Sequence, residues 1–233
     1  MSPERLVGRE AVLAVAGSML RDAVAGSGQF LLVSGEAGIG KTAMLAALID
    51  QAAPDCTVLR GLCWEGSGAP PYWPWSQVLQ ATGRSVAELE DAGRLLESEL
   101  GHTAEMNAGA AADAQFRVFE SVGRCLSELA ADRPLLLALD DLQWADEPSL
   151  RLLGFLARVL SGSRVLLVGA YRDTEGPPEL LDISSGAQHL TLTGLGQTQV
   201  AAMAAAIAGA PPSERVSSQL WQRSAVTHSS SVS

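Results

Sequence analysis

Residues Gly35-Glu36-Ala37-Gly38-Ile39-Gly40-Lys41-Thr42 satisfy the pattern G-x-x-x-x-G-K-[ST] at every position, a spacing whose chemistry is the cradling of phosphate groups. Lys41 is the only lysine in 233 residues, and the other fifteen basic side chains are arginine. Lysine supplies a compact point charge where arginine supplies a planar fork, so the one lysine stands where a β- or γ-phosphate asks for it. The glycines let the main chain curl until the N–H groups from about Gly38 to Thr42 face phosphate oxygens at a helix N-terminus. Thr42 is then placed to offer its hydroxyl to Mg²⁺.

A second group with chemical potential is the carboxylate pair Asp140-Asp141, at the end of the apolar run Leu135-Leu136-Leu137-Ala138-Leu139. In an open α/β sheet, ligands bind at the carboxyl ends of strands. Asp140 is therefore expected to meet the Mg²⁺ of the phosphate loop and Asp141 to face an attacking water. Capping of the following helix is the plainer use for an aspartate, but Asp146, just before Glu147-Pro148, is the better cap. A third charged group, Arg172, follows the apolar run Val165 to Tyr171. It either touches the γ-phosphate or is a solvated arginine paired with Asp173 or Glu175.

These groups need strands and helices to hold them. Phe30 to Ser34 reads as a buried strand before the loop, and Thr42 to Ala53 as a helix with Met44, Leu45, Leu48 and Ile49 on one side. Cys56 to Gly61 reads as a second strand, with its helix starting near Trp75. Residues 9–25, Val86 to Leu100 and Asp113 to Ala131 read as helices, the last with a core stripe of Phe116, Phe119, Val122, Leu126 and Leu129. His102 to Ala112 reads as a Gly/Ala linker, and Leu152, Phe155, Leu156 and Val159 as the inner face of a further helix. Strands alternating with helices predict a parallel sheet wrapped on both faces with right-handed crossovers.

The composition fits one α/β domain, with 47% hydrophobic and 18% charged residues. A net charge of −10 leaves no broad basic face for a phosphate backbone, so direct DNA binding is not expected. The N-terminus lacks a basic region followed by an apolar stretch, and no apolar run is long enough for a bilayer, so a cytoplasmic location without membrane contact is expected. Cys56, Cys63 and Cys125 show no C-x-x-C spacing and read as reduced thiols. His102, His189 and His228 lie too far apart to suggest a metal cluster.

Taken together, these segments resemble the ATPase module of signal-transducing P-loop NTPases related to AAA+ proteins, as found in large LuxR-type bacterial transcriptional regulators. Leu6-Val7-Gly8-Arg9-Glu10 looks like the family's adenine-side motif, Leu31 to Thr42 its Walker A strand and loop, and Asp140-Asp141-Leu142-Gln143-Trp144-Ala145-Asp146 its Walker B block. Gly169-Ala170-Tyr171-Arg172 looks like the sensor strand, and Leu190 to Leu195 fits the last strand and exit. Arg60 to Glu65 and Pro70-Pro71-Tyr72-Trp73-Pro74-Trp75 are similar to the family's aromatic segment, which by its residues alone is either a packed loop or a partner patch.

The resemblance implies an AAA+-like P-loop NTPase fold with a five-stranded parallel sheet in the order 5-1-4-3-2. It implies ATP or ADP with Mg²⁺ as cofactors, bound by Val7, Gly8 and Arg9 together with Gly35, Glu36, Ala37, Gly38, Ile39, Gly40, Lys41, Thr42 and Ala43. Thr42 and Asp140 are expected to hold the metal, and Lys41, Asp141 and Arg172 to act in catalysis. The likeness runs to about residue 224 as one ATPase domain. Residues 225–233 read as a polar, disordered tail where the family's helical and DNA-binding parts would follow, as in a truncated gene product or a stand-alone module.

The function expected is an ATP-binding regulatory switch with slow Mg-dependent hydrolysis, within a transcriptional-regulator system and with protein partners or self-association. A GTPase would need a second lysine for its N-K-x-D motif, and nothing marks the acceptor pocket of a small-molecule kinase. The alternative from another class is a non-hydrolysing nucleotide-binding or interaction module.

Overall fold

In the continuous apolar runs, successive side chains point to opposite faces, so each such strand needs cover on both sides, and the chain supplies it with helices between strands. A computed structural model describes residues 7–66, 68–83, 108–174, 176–208 and 210–229. The strands are β1 (Gln29–Gly35), β2 (Thr57–Leu62), β3 (Leu135–Asp140), β4 (Val165–Tyr171) and β5 (Gln188–Leu192). All four pairings are parallel and the order is β2-β3-β4-β1-β5, which is the expected 5-1-4-3-2 read from the other edge. The fold is that of an α/β P-loop NTPase.

The helices are α1 (Glu10–Val24), α2 (Lys41–Ala52), α3 (Trp73–Ala81), α4 (Ala108–Asp132), α5 (Glu147–Val159), α6 (Pro178–Ile183), α7 (Gln197–Ala208) and α8 (Glu214–Ser229). One face of the sheet, through Leu31, Val33, Leu136, Ala138 and Val168, packs on Met19 of α1 and Met44, Leu45 and Leu48 of α2. The other, through Leu32, Leu59, Leu137, Leu139 and Leu167, packs on Trp75 of α3, Val122 and Leu126 of α4, and Leu152 and Leu156 of α5. Both faces of β3 are thus sealed, and its six residues are all buried. A strand held this firmly fixes where its carboxyl end lies.

Several local expectations need correction. Helix α4 starts at Ala108, so Ala108 to Ala112 are its first turns and not linker. The alanines' helix propensity outweighs the single Gly109. Phe116 is 53% exposed, and its ring makes a T-shaped contact with Phe155, with centroids 5.8 Å apart. Val159, at the last position of α5, is 48% exposed. Helix α3 starts at Trp73, two residues before Trp75, since Pro74 is tolerated in a first turn.

Helix α8 runs to Ser229, so residues 225–229 continue a helix where a disordered tail was expected. The helix expected over Val86 to Leu100, residues 102–107 of the expected linker, Leu6, Glu175 and residues 230–233 lie outside the described residues. Among the described residues no helix is long and apolar enough to cross a membrane. Cys56, Cys63 and Cys125 are all buried.

Candidate nucleotide site

Strand β1 delivers the chain to Gly35, and α2 takes it up at Lys41. Between them, Gly38 at φ 72° and Gly40 at φ 103° occupy left-handed conformations that side chains rarely adopt. Lys41 is buried, and its Nζ donates to the carbonyls of Gly35 and Glu36, both at 2.8 Å. Its ammonium thus ties the loop together and keeps a third N–H donor. No side chain caps α2 and its first turn holds no acid, so its leading N–H groups are left for an anion. By contrast, Asp146 caps α5, accepting from the Ser149 N–H at 2.9 Å and the Ser149 hydroxyl at 2.7 Å. Asp140 and Asp141 are therefore not needed as caps.

Thr42, in the first turn of α2, meets the end of β3: its hydroxyl donates to Asp140 Oδ2 at 2.9 Å. Burial holds the Asp140 carboxyl above the usual carboxylate range, against a downward pull from the Thr42 hydroxyl. A hydroxyl beside a carboxylate is an all-oxygen pair suited to Mg²⁺, and a cation there would relieve the desolvated charge. Lys41 is pushed below the ordinary lysine range, first by burial and then by the like charge of Arg172; Asp141, Asp173 and Asp140 pull it back. Two cations, Lys41 and Arg172, therefore act on one another at the carboxyl edge beside these acids, as an anion site requires.

Asp141 takes the left-handed conformation at φ 58°, rare outside glycine but tolerated by aspartate. The turn Leu142–Trp144 follows directly. Gln143, to which the sequence reading gave no role, is 8% exposed. Its Nε2 donates to Asp141 Oδ1 at 2.8 Å, and its Oε1 accepts from the Arg172 N–H at 3.1 Å. The Arg172 guanidinium lies over the Trp144 ring, 5.9 Å from its centroid. The sequence signal for Gln143 was a lone neutral polar residue between Leu142 and Trp144, right after the acid pair.

The N-terminal segment also closes on the loop. Arg9 is buried; its Nη2 donates to the Ile39 carbonyl at 2.9 Å and its Nη1 to the Thr193 carbonyl at 2.7 Å. The guanidinium therefore clasps the phosphate loop to the exit of β5. Val7 and Gly8 are half-buried beside it. Gln199 of α7 donates to the Gly8 carbonyl at 3.4 Å and accepts from the Gly196 N–H at 2.8 Å. A Cβ at Gly8 would come within 2.6 Å of the Gln199 side chain. Within an alanine-rich helix, nothing in the sequence marked Gln199. Of the remaining expected residues, Gly35 and Ile39 are buried, Ala43 is half-buried, and Glu36, Ala37, Gly38 and Thr42 are exposed.

In the aromatic segment, Trp75 and Tyr72 are packed while Trp64 and Trp73 are 56% and 36% exposed. Trp75 Nε1 donates to the Ser149 carbonyl at 3.0 Å, and the Tyr72 N–H to Asp146 Oδ1 at 3.4 Å. Tyr72 sits at φ 60°, an outlier for a bulky residue, with its ring edge-on to Phe119 at 6.4 Å. The segment thus docks on the start of α5, just beyond the acid pair.

Sheet order, glycine loop, buried lysine and hydroxyl–carboxylate pair together have the form of a P-loop nucleotide site. Residues 5–168 match the AAA ATPase domain family, and the chain belongs to that family, whose members bind ATP. Among solved structures, similar ones include C. elegans PCH-2, at 13% identity and TM-score 0.44, and the Aeropyrum pernix ORC1 protein in complex with DNA, at 20% and 0.46. Each match covers 85% of this chain and 48% of the other, so the chain spans about half the length of either. Among curated protein sequences none matches.

Proposed function

We infer that the protein is an ATP-operated regulatory switch that hydrolyses ATP slowly with Mg²⁺ and works in a LuxR-type, signal-transducing regulator system in the cytoplasm. The observation carrying this reading is the 2.9 Å bond between Thr42 and Asp140 beside the Lys41-braced loop. Lys41 and the loop N–H groups hold the β- and γ-phosphates, and Thr42 and Asp140 hold the metal. When bound, Mg²⁺ takes up charge on the phosphate oxygens. Asp141 orients the attacking water and accepts its proton, and Arg172 stabilises charge on the terminal phosphate or reports its presence. Protein partners or self-association convert the nucleotide state into a signal, without direct DNA contact by this chain.

The test is thermal unfolding of wild type and Lys41→Ala with Mg-ATP, Mg-ADP and Mg-GTP. Ligand at 100 times its dissociation constant adds about 2.7 kcal/mol. Adenine nucleotides alone should shift wild type, and Lys41→Ala should lose the shift. No shift with any nucleotide would overturn the reading.

A non-hydrolysing interaction module is the second reading, favoured by the exposed Val216, Leu220 and Trp221 of α8 and by the exposed Trp64. It predicts phosphate release no faster from wild type than from Asp141→Asn. The switch predicts a clear excess.

A further inference from the structure

Three consecutive residues after Asp141 grip β4. Leu142 is buried over Gly169, where an added Cβ would come within 2.4 Å of its Cδ1. Gln143 accepts from the Arg172 N–H, and Trp144 lies beneath the Arg172 guanidinium. The turn carrying Asp141 therefore sits flat on the neighbouring strand. Within it, the Gln143 amide is hydrogen-bonded to the Asp141 carboxylate.

The chemistry of the two partners dictates an amide here. A carboxylate takes only donors and a main-chain N–H takes only an acceptor. An amide side chain offers one arm of each kind, and glutamine has the length to span from Asp141 Oδ1 at 2.8 Å to the Arg172 nitrogen at 3.1 Å. With Gln143 only 8% exposed, water is a poor substitute for either contact.

We propose that Gln143 is a positioning residue that sets the orientation of the Asp141 carboxylate and couples it to the main chain of Arg172 at the end of β4. The proposal rests on the ATPase reading for its consequence, because an acid that orients water works only within a narrow geometry. A shift of the β4 end is passed through the glutamine amide to the acid. The water-orienting group and the strand end that faces the terminal phosphate then move as one.

The test uses the full chain with Gln143→Ala and Gln143→Glu, reading steady-state ATP turnover and hydrogen exchange of the Arg172 amide by NMR. In Gln143→Ala, kcat should fall at least about tenfold with KM for ATP within about threefold of wild type, as expected when an orienting contact and not ground-state binding is lost. The Arg172 amide should exchange at least about tenfold faster. Gln143→Glu still accepts from Arg172 but has no proton for Asp141 at neutral pH, so kcat should fall while Arg172 stays protected. Turnover of Gln143→Ala within twofold of wild type, or unchanged Arg172 exchange, would overturn the proposal.

If wild type turns over no faster than Asp141→Asn, the ATPase reading has failed, and the exchange arm decides alone. Asp141→Ala should then speed Arg172 exchange by freeing the other arm of Gln143, and no change would overturn the coupling. Should Gln143→Ala fail to fold, Gln143→Glu and Asp141→Ala give the same decision.

Discussion

Thr42 Oγ1 and Asp140 Oδ2 lie 2.9 Å apart although their residues are 98 positions apart in the chain. One lies in the first turn of α2 and the other closes β3, so only the folded chain brings them together. Because the pair is suited to a metal more than to the fold, Thr42→Ala should leave unfolding by urea within about 1 kcal/mol of wild type, the size of one ordinary hydrogen bond. It should weaken Mg-ATP at least about tenfold, while metal-free ATP in EDTA binds as before. Titration calorimetry with and without Mg²⁺ checks this, and equal weakening in both conditions would refute it.

Arg9 should matter to the fold as much as to any ligand. Its guanidinium satisfies the carbonyls of Ile39 and Thr193, and charge-assisted hydrogen bonds of this kind contribute about 1.5–3 kcal/mol each. Arg9→Ala is expected to cost about 3 kcal/mol in urea unfolding without nucleotide. A variant as stable as wild type would show that the clasp is dispensable.

Trp75 is fully buried and hydrogen-bonded to the Ser149 carbonyl. Trp75→Ala should cost about 3–5 kcal/mol, the range for emptying an aromatic site in a core. Trp64→Ala and Trp73→Ala, at exposed rings, should cost under about 1 kcal/mol. Chemical denaturation of the three variants distinguishes the packed half of the aromatic segment from the exposed half.

Burial, followed by the charges of Asp146, Asp141 and Asp140, pushes the Cys63 thiol up to about 12. The native protein keeps this proton after the unfolded chain has released it. The associated stability is complete below the ordinary thiol pKa of about 8.5 and is lost as pH rises toward 12. Between pH 8.5 and 11, unfolding free energy should fall more steeply in wild type than in Cys63→Ala. At pH 8 iodoacetamide should alkylate Cys63 only in the unfolded protein, as mass spectrometry of protected and denatured samples would show.

The sequence carried the parts of this site whose chemistry is local. The loop from Gly35 to Thr42 is defined by residue types at fixed spacing, and β3 and β4 by apolar runs ending in charge, so both could be read without coordinates. The resemblance added the strand order that puts Arg172 between the loop and the acids. Gln143 and Gln199 escaped because their partners, Arg172 and Gly8, lie 29 and 191 positions away. A lone polar residue such as Gln143 after the acid pair marks a position, but no periodicity or spacing names its partner. Phe116 was misjudged because helical spacing identifies a stripe but not which of its members the rest of the fold covers.

The left-handed backbone of Asp141, at φ 58°, separates stability from turnover at a single position. An L-residue held there costs about 1 kcal/mol more than glycine would, but Asp141→Gly also leaves the buried Gln143 amide without its carboxylate, a cost of similar size, so the melting temperature should change little. The same change removes the acid proposed to orient water, and turnover should be lost with it. A screen that scores only folding and heat resistance would let this substitution pass and would recover a sound protein that holds ATP without consuming it.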